Sequence, residues 1–249
     1  MGSLASEERR NWLMAELKAA ESVSLVGAAK ALGVSEMTVR RDLDVLESVG
    51  LARRVRGGAV TAGPMSFENR DRSHAAEKRR IADKLLPLVP SEGVIAMDSS
   101  TTMHRLASML TGSGRLTVVT NGLLTFEALQ RRPGVVAVLT GGTADERSDS
   151  LVGPVASATL ETMRFPLFFA SAAAIDERGC SEDTFEEAEV KRAFSRAATE
   201  VVVGVHSQKL GKEATASAVR AEEIATLATE LDPAAEELTS YRASIPLVL

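Results

Sequence analysis

Between Gly33 and Val60 a glycine, a hydroxyl and a run of arginines follow one another in an order that constrains this chain more than any other stretch. Gly33 can take positive φ and end a helix, and two residues on the Ser35 hydroxyl can accept from the free N–H groups of the next helix. Val39, Leu43 and Leu46 then recur on one helical face. That register displays Met37, Thr38, Arg40 and Arg41 around the first turns, where a helix-turn-helix presents side chains to the major groove. Arginine can bond guanine in bidentate fashion or clamp a phosphate, while Thr and Met offer a hydroxyl and an apolar surface to base edges. After Gly50 the segment Leu51 to Gly58 reads as a short β-hairpin, with Arg53, Arg54 and Arg56 beside a flexible Gly57-Gly58 tip. A surface helix with scattered arginines is the plainer alternative. The cap, the register, the paired arginines and the basic hairpin in series favour a duplex-DNA surface over it.

Charge supports a divided molecule. The 249 residues carry a net charge of −5. Residues 1–60 hold nine Lys/Arg against eight Asp/Glu, so only the amino-terminal part offers a basic surface. A single copy with so little excess charge is expected to bind DNA weakly, which doubling through a homodimer would offset. No apolar run approaches the roughly 20 residues of a membrane span. No secretory signal is expected, and the Met1-Gly2 start is read as a chance match to an acylation pattern. The single Cys180 excludes an internal disulfide framework and suits a reducing cytoplasm.

In chain order, residues 5–20 predict a helix capped by Ser6, with Trp12, Leu13 and Leu17 inward. A short extended piece at Val23 precedes a second helix over Leu25–Leu32. The first domain is therefore 1–60, a winged helix-turn-helix. Residues 61–75 read as a linker in which Phe67 and Arg70 can dock on a domain, and 76–249 form a second domain. There a helix at Glu77–Leu86 is followed by strands at Val94–Met97, Leu116–Thr120, Val135–Thr140, Leu167–Ala173, Val201–Val205 and, more weakly, Ala225–Leu231. Helical patterns fall between them at Met103–Leu110, Leu124–Arg131, Val155–Met163 and Glu186–Thr199. Such alternation builds βαβ units and a mostly parallel α/β sheet of Rossmann type. Ligands of such sheets collect at the carboxyl ends of the strands.

Those ends are polar or small. Asp98, Ser99, Ser100, Thr101 and Thr102 precede a helix and can cradle a phosphate with hydroxyls and free N–H groups. Asn121 and Gly122, then Gly141 and Gly142, follow the second and third strands. The fourth is read as reaching Asp176 and Cys180, and the fifth His206 and Lys209, a counter-charge for phosphate. The three histidines, His74, His104 and His206, lack metal-ligand spacing. No metal, cofactor or catalytic residue is expected.

With both halves read, the chain resembles the DeoR family of bacterial transcriptional regulators over nearly its whole length. Val34-Ser35-Glu36-Met37-Thr38-Val39-Arg40-Arg41-Asp42-Leu43 resembles the family's Val-Ser-x-x-Thr-Ile/Val-Arg-Arg-Asp-Leu signature, and Arg54 to Ala59 resembles its wing. Glu77-Lys78, Asp98 to Thr102, Thr120-Asn121, Gly141-Gly142, Gly153, Glu189 to Arg192 and Ser207 to Gly211 resemble its effector domain in order and spacing. The resemblance implies a winged helix joined to a domain of ribose-5-phosphate isomerase and CoA-transferase type, and it places Lys191 in the effector site. It further implies operator DNA, a phosphorylated sugar and assembly into dimers or tetramers. Arg56 stands where the family has His, Ser100 where it has Gly, Cys180 in a Gly-Leu-Thr turn, Glu230 where Asp is common, and His206 in place of Asp. That last change installs a group expected to titrate near neutral pH. Repression of a carbohydrate operon is the leading expectation. Its rival is a sugar-phosphate isomerase fused to a DNA module, drawing on Asp98, Asp176 and Glu182.

Overall fold

The computed structural model describes residues 6–48, 51–61, 67–111, 115–145 and 147–249. The Met1–Ala5 segment, Gly50 and residues 62–66 of the expected linker lie outside them. The chain divides into two compact units, Met1–Met65 and Ser66–Leu249.

The first unit runs α1 (Ser6–Ala20), β1 (Ser22–Ser24), α2 (Leu25–Leu32), α3 (Glu36–Ser48), β2 (Ala52–Val55) and β3 (Gly58–Thr61). The Ser24 hydroxyl caps α2 by accepting from Gly27 N at 2.9 Å. Gly33 ends the same helix at φ 64. Leu13 and Leu17 of α1, Leu25 and Leu32 of α2, and Val39, Leu43 and Leu46 of α3 close into one core. A small sheet in the order β1-β3-β2 completes the unit, so the expected two-stranded wing is three-stranded. Gly58 makes the third strand possible, because a Cβ there would lie 1.9 Å from the Val23 carbonyl oxygen.

The second unit begins with α4 (Phe67–Arg72) and α5 (Ala75–Leu85), then β4 (Glu92–Met97), α6 (Thr101–Met109), β5 (Arg115–Thr120), α7 (Leu123–Gln130) and β6 (Val135–Leu139). The hairpin β7 (Thr143–Asp145) and β8 (Ser150–Val152), α8 (Pro154–Glu161) and β9 (Phe165–Ala170) follow. Next come β10 (Ala174–Asp176), β11 (Gly179–Glu182), α9 (Phe185–Ala197), β12 (Ala198–Gly204), β13 (Ala216–Arg220), β14 (Ile224–Ala228), α10 (Thr239–Ser244) and β15 (Leu247–Val248). Seven strands form a parallel sheet in the order β15-β14-β12-β9-β4-β5-β6. Strand alternation sends neighbours to opposite faces. Ala96, Phe168, Val201 and Val203 pack with Leu160 of α8 and Phe194 of α9. Ile95, Met97, Phe169 and Val202 pack with Ile81, Leu85, Met103 and Leu106 of α5 and α6.

The direction of strand addition reverses between β4 and β9. In a doubly wound sheet that reversal opens a crevice at the carboxyl ends of the two strands. Strand four differs from its expected span at this point. It ends at Ala170, and the extended chain resumes as β10 after Ser171, Ala172 and Ala173. The true strand end is thus Ser171-Ala172, while Asp176 sits at the tip of the β10–β11 hairpin. An unbroken small and apolar run from Ala170 to Ile175 carries no signal for that break.

Candidate functional site

In the first unit the Ser35 hydroxyl accepts from Thr38 N at 3.2 Å and lies 2.9 Å from the Thr38 hydroxyl. This fixes the start of α3. Met37 is 55% exposed, and Arg40 and Arg41 are exposed beside it. Beneath them Asp42 turns inward, accepting from Arg9 Nε at 2.7 Å, and this buried pair fastens α1 to α3. Arg54 is committed to structure: its guanidinium donates to the Arg40 carbonyl at 3.1 Å and pairs with Asp44 at 2.8 Å. It braces the wing against α3. Arg53 and Arg56 are exposed, and with Arg40 and Arg41 they have no ion-pair partner among the described residues. Gly57, at φ 88, makes the tip.

The crevice of the second unit is organised by Asp98. Its Oδ1 accepts from Ser100 N at 2.9 Å, and its Oδ2 accepts from Ser171 N at 2.8 Å, joining the ends of β4 and β9. Lys191 Nζ, from α9, lies 2.9 Å from the same Oδ2 and also donates to Glu182 and the Ser171 carbonyl. Burial alone would lower the Lys191 pKa, but the carboxylates of Asp98 and Glu182 outweigh it and hold the ammonium above the ordinary lysine range. The Ser100 hydroxyl caps α6 through Met103 N at 3.2 Å. That leaves the N–H groups of Thr101 and Thr102, which as first residues of a helix have no intrahelical acceptor. Gly122 presses on this turn, since a Cβ there would lie 2.7 Å from the Ser99 Cα. Asn121 donates to the Leu151 carbonyl at 3.1 Å, and its buried Oδ1 has no partner among the described residues. Gly141 and Gly142 follow β6, both at positive φ, and lead into β7.

Two further ammoniums line the crevice. Lys209 donates to the Ala172 carbonyl and Lys78 to the Arg70 carbonyl. Burial first, with Lys191 and Arg70 adding to it against the opposing pull of Glu182 and Asp98, pushes Lys209 down to about 8. Burial and Lys209 push Lys78 down to about 8 as well. Phe67 is buried edge-to-face on His104, and Arg70 lies over the Phe67 ring and donates to the Ser148 carbonyl at 3.2 Å. The Glu187 carboxyl, half-buried and close to Glu182, is pushed up to about 7, mainly by desolvation.

Residues 73–231 match the family described as DeoR C terminal sensor domain, and residues 9–64 match the DeoR-like helix-turn-helix domain. The HTH-type transcriptional regulator GolR of Listeria innocua is 32% identical over 228 residues, covering 90% of each chain. The chain belongs to the DeoR family. Its two matched parts are those of a transcriptional regulator, a DNA-binding helix-turn-helix followed by a sensor domain. The lactose phosphotransferase system repressor of Streptococcus mutans is 28% identical over 247 residues, covering 96% of this chain and 98% of that one. Among solved structures, ribose 5 phosphate isomerase A from Neisseria gonorrhoeae superposes with a TM-score of 0.39 at 17% identity, over 53% of this chain and 52% of that one. That likeness is too loose to bear on function.

In this DeoR protein the residues singled out in the sequence are distributed unevenly. Asp98, Ser99, Ser100, Thr101, Thr102, Asn121, Gly122, Lys191 and Lys209 surround the β4–β9 crevice or pack directly against it. Asp176 instead bonds Arg178 at 2.8 Å and lines a different hollow of about 600 Å³ with Ser207, Gly211 and Tyr241. His206 does not titrate near neutrality. Burial, with Lys209, His74, Lys78 and Lys212 around it, pushes it down to about 3. Nor are the histidines all scattered, for His74 and His206 stack at 4.3 Å. Cys180 is a buried filler whose thiol burial pushes up to about 12. Sequence reading gave no role to Asp42, Ser171 or Glu187. The partners of Asp42 and Ser171 stand tens of residues away, so no local pattern marks them, and Glu187 meets Glu182 only because the chain turns from β11 into α9. Among the described residues no helix is long and apolar enough to cross a membrane.

Proposed function

We propose that this regulator represses a carbohydrate catabolic operon and is released from its operator by a phosphorylated sugar bound in the β4–β9 crevice. The reading rests above all on one observation: the first N–H groups of α6 open beside Asp98, and in the same crevice Lys209 and, beside it, Lys78 bond only backbone carbonyls among the described residues. Ammoniums without a carboxylate ion pair among the described residues, and a helix N-terminus in the same crevice, are suited to a phosphorylated ligand. Asp98 and Glu182, the carboxylates an isomerase would draw on, are bonded to Lys191 instead. Named relatives agree in kind, the Streptococcus mutans protein being a lactose phosphotransferase system repressor.

On the DNA side, α3 enters the major groove with Met37, Thr38, Arg40 and Arg41, while Arg53, Arg56 and the Gly57-Gly58 tip hold the flanking backbone. Two or four copies joined through their second units supply paired half-sites, and the effector favours an arrangement whose spacing no longer fits them. The test is a gel shift on the DNA flanking the gene that encodes the protein, run with and without a panel of sugar phosphates, beside a thermal-shift screen of the same panel. Retarded DNA, freed by a phosphorylated sugar that also raises the melting temperature, is expected. Stabilisation by unphosphorylated sugars alone would overturn the effector assignment.

A further inference from the structure

His206 is 7% exposed, and its Nδ1 has no hydrogen-bond partner among the described residues. Its ring lies against His74 with centroids 4.3 Å apart and planes 20° from parallel. His74 holds that position at φ 54, a left-handed conformation costly for a residue with a side chain. A buried polar atom left unpaired at such a place points to a ligand group that completes it. The charges around it say which kind. His206 faces Lys78, Lys209 and Lys212, and no ion pair to a carboxylate is present for any of these three among the described residues. The carboxylates close at hand are already engaged: Asp98 and Glu182 by Lys191, Asp71 by Arg105, Glu77 at 3.9 Å from His74, and Glu230 by the backbone N–H and hydroxyl of Ser207. A neutral sugar hydroxyl could bond Nδ1, but it would leave the surrounding positive charge uncompensated.

This cluster and the α6 turn stand at the ends of different strands. The turn leaves β4 and His206 leaves β12, with β9 between them. Two strand spacings separate the stations by roughly 10 Å. That is a length suited to a sugar chain phosphorylated at one end and acidic at the other. We propose that the effector is doubly acidic, its phosphate at the Ser99–Thr102 turn and a carboxylate or second phosphate received by His206 with Lys78 and Lys209. This inference rests on the phosphorylated-sugar reading and narrows it to phosphorylated sugar acids or bisphosphates.

With only three histidines the imidazole resonances can be followed one by one. In the full chain titrated with inorganic phosphate, calorimetry should count two ions per chain, and NMR should show the His206 titration moving upward by more than about one pH unit as an anion settles beside it. His206→Asp should lose one ion and keep the other, with His206→Gln run alongside to separate charge from packing and urea melts confirming that both variants fold. Among sugars, 6-phosphogluconate or fructose 1,6-bisphosphate should stabilise the protein more than glucose 6-phosphate, and which of the two does so identifies the second group. His206→Asp should weaken that ligand by roughly tenfold, the worth of about one charge-assisted hydrogen bond. A single bound phosphate with His206 unmoved, or glucose 6-phosphate as effective as the acidic sugars, would overturn the inference and leave the phosphorylated-sugar reading intact. No phosphate bound at all would remove both.

Discussion

Arg40, Arg41, Arg53 and Arg56 stand in solvent without an ion-pair partner among the described residues, whereas Lys78, Lys191 and Lys209 of the second unit are drawn inward and bonded to carbonyls or carboxylates. Each set is suited to phosphate, yet the physics differs. Exposed guanidiniums keep full charge at every physiological pH and act through displaced counterions, so salt governs them. Buried ammoniums are perturbed by burial and by one another, so protons govern them. A long polyanion rewards display, and a small anion rewards enclosure. Each unit also contains a buried ionic contact that sets the geometry of its cations: Arg9 with Asp42 under α3, and Lys191 with both Asp98 and Glu182 across the crevice.

The comparison breaks most visibly at Lys191. Lys191→Ala strands two buried carboxylates and should cost about 3–5 kcal/mol, read as an early urea transition of the second unit. A loss under about 1 kcal/mol would mean that the pair is solvated and the crevice open. Asp42→Ala should cost about 3 kcal/mol in the first unit. The single tryptophan, Trp12, packs on that core, so its fluorescence follows that unit alone. An unchanged Trp12 transition would show that α1 is held by packing without the ion pair.

Arg40→Ala and Arg41→Ala should each weaken operator binding by about 1–3 kcal/mol while leaving the Trp12 transition in place. Whichever variant binds as well as the parent is struck from the contact surface. The smallest effect is the proton linkage of Lys78 and Lys209. Both are held at about 8 against an ordinary 10.5, so between those values the unfolded chain binds more protons and stability rises with pH. Cys180, held up to about 12 from 9.0, opposes this only above pH 9. Urea midpoints should therefore climb from about pH 7.5 to 8.5, and Lys209→Met should flatten the climb. A parent midpoint that falls over this interval would contradict the enclosure of the two lysines.

Much of this was legible in the residues. The α2 and α3 helices, with Gly33 and Ser35 between them, follow from local caps and a 3.6-residue period. The sheet strands β4, β5, β6, β9, β12 and β14 announce themselves as β-branched or aromatic runs. Less visible were β10 and β11, whose Ala-Ile-Asp and Gly-Cys-Ser-Glu are too short and mixed to carry a period, and the pairing of the extended piece at Val23 as a third strand, which Gly58 admits.

The chain alone therefore determined most of its helices, though not α4 inside the expected linker or α10, together with its main strands and the exposed arginines of α3 and the wing, because those depend on neighbours within a turn or a pleat. Tertiary structure alone decided that Arg54 braces while Arg53 and Arg56 stay free, that Asp98 meets Ser171 and Lys191, and that His206 lies neutral against His74 among lysines. Those contacts join residues tens of positions apart, and the charge state of a buried group is set by what surrounds it in space.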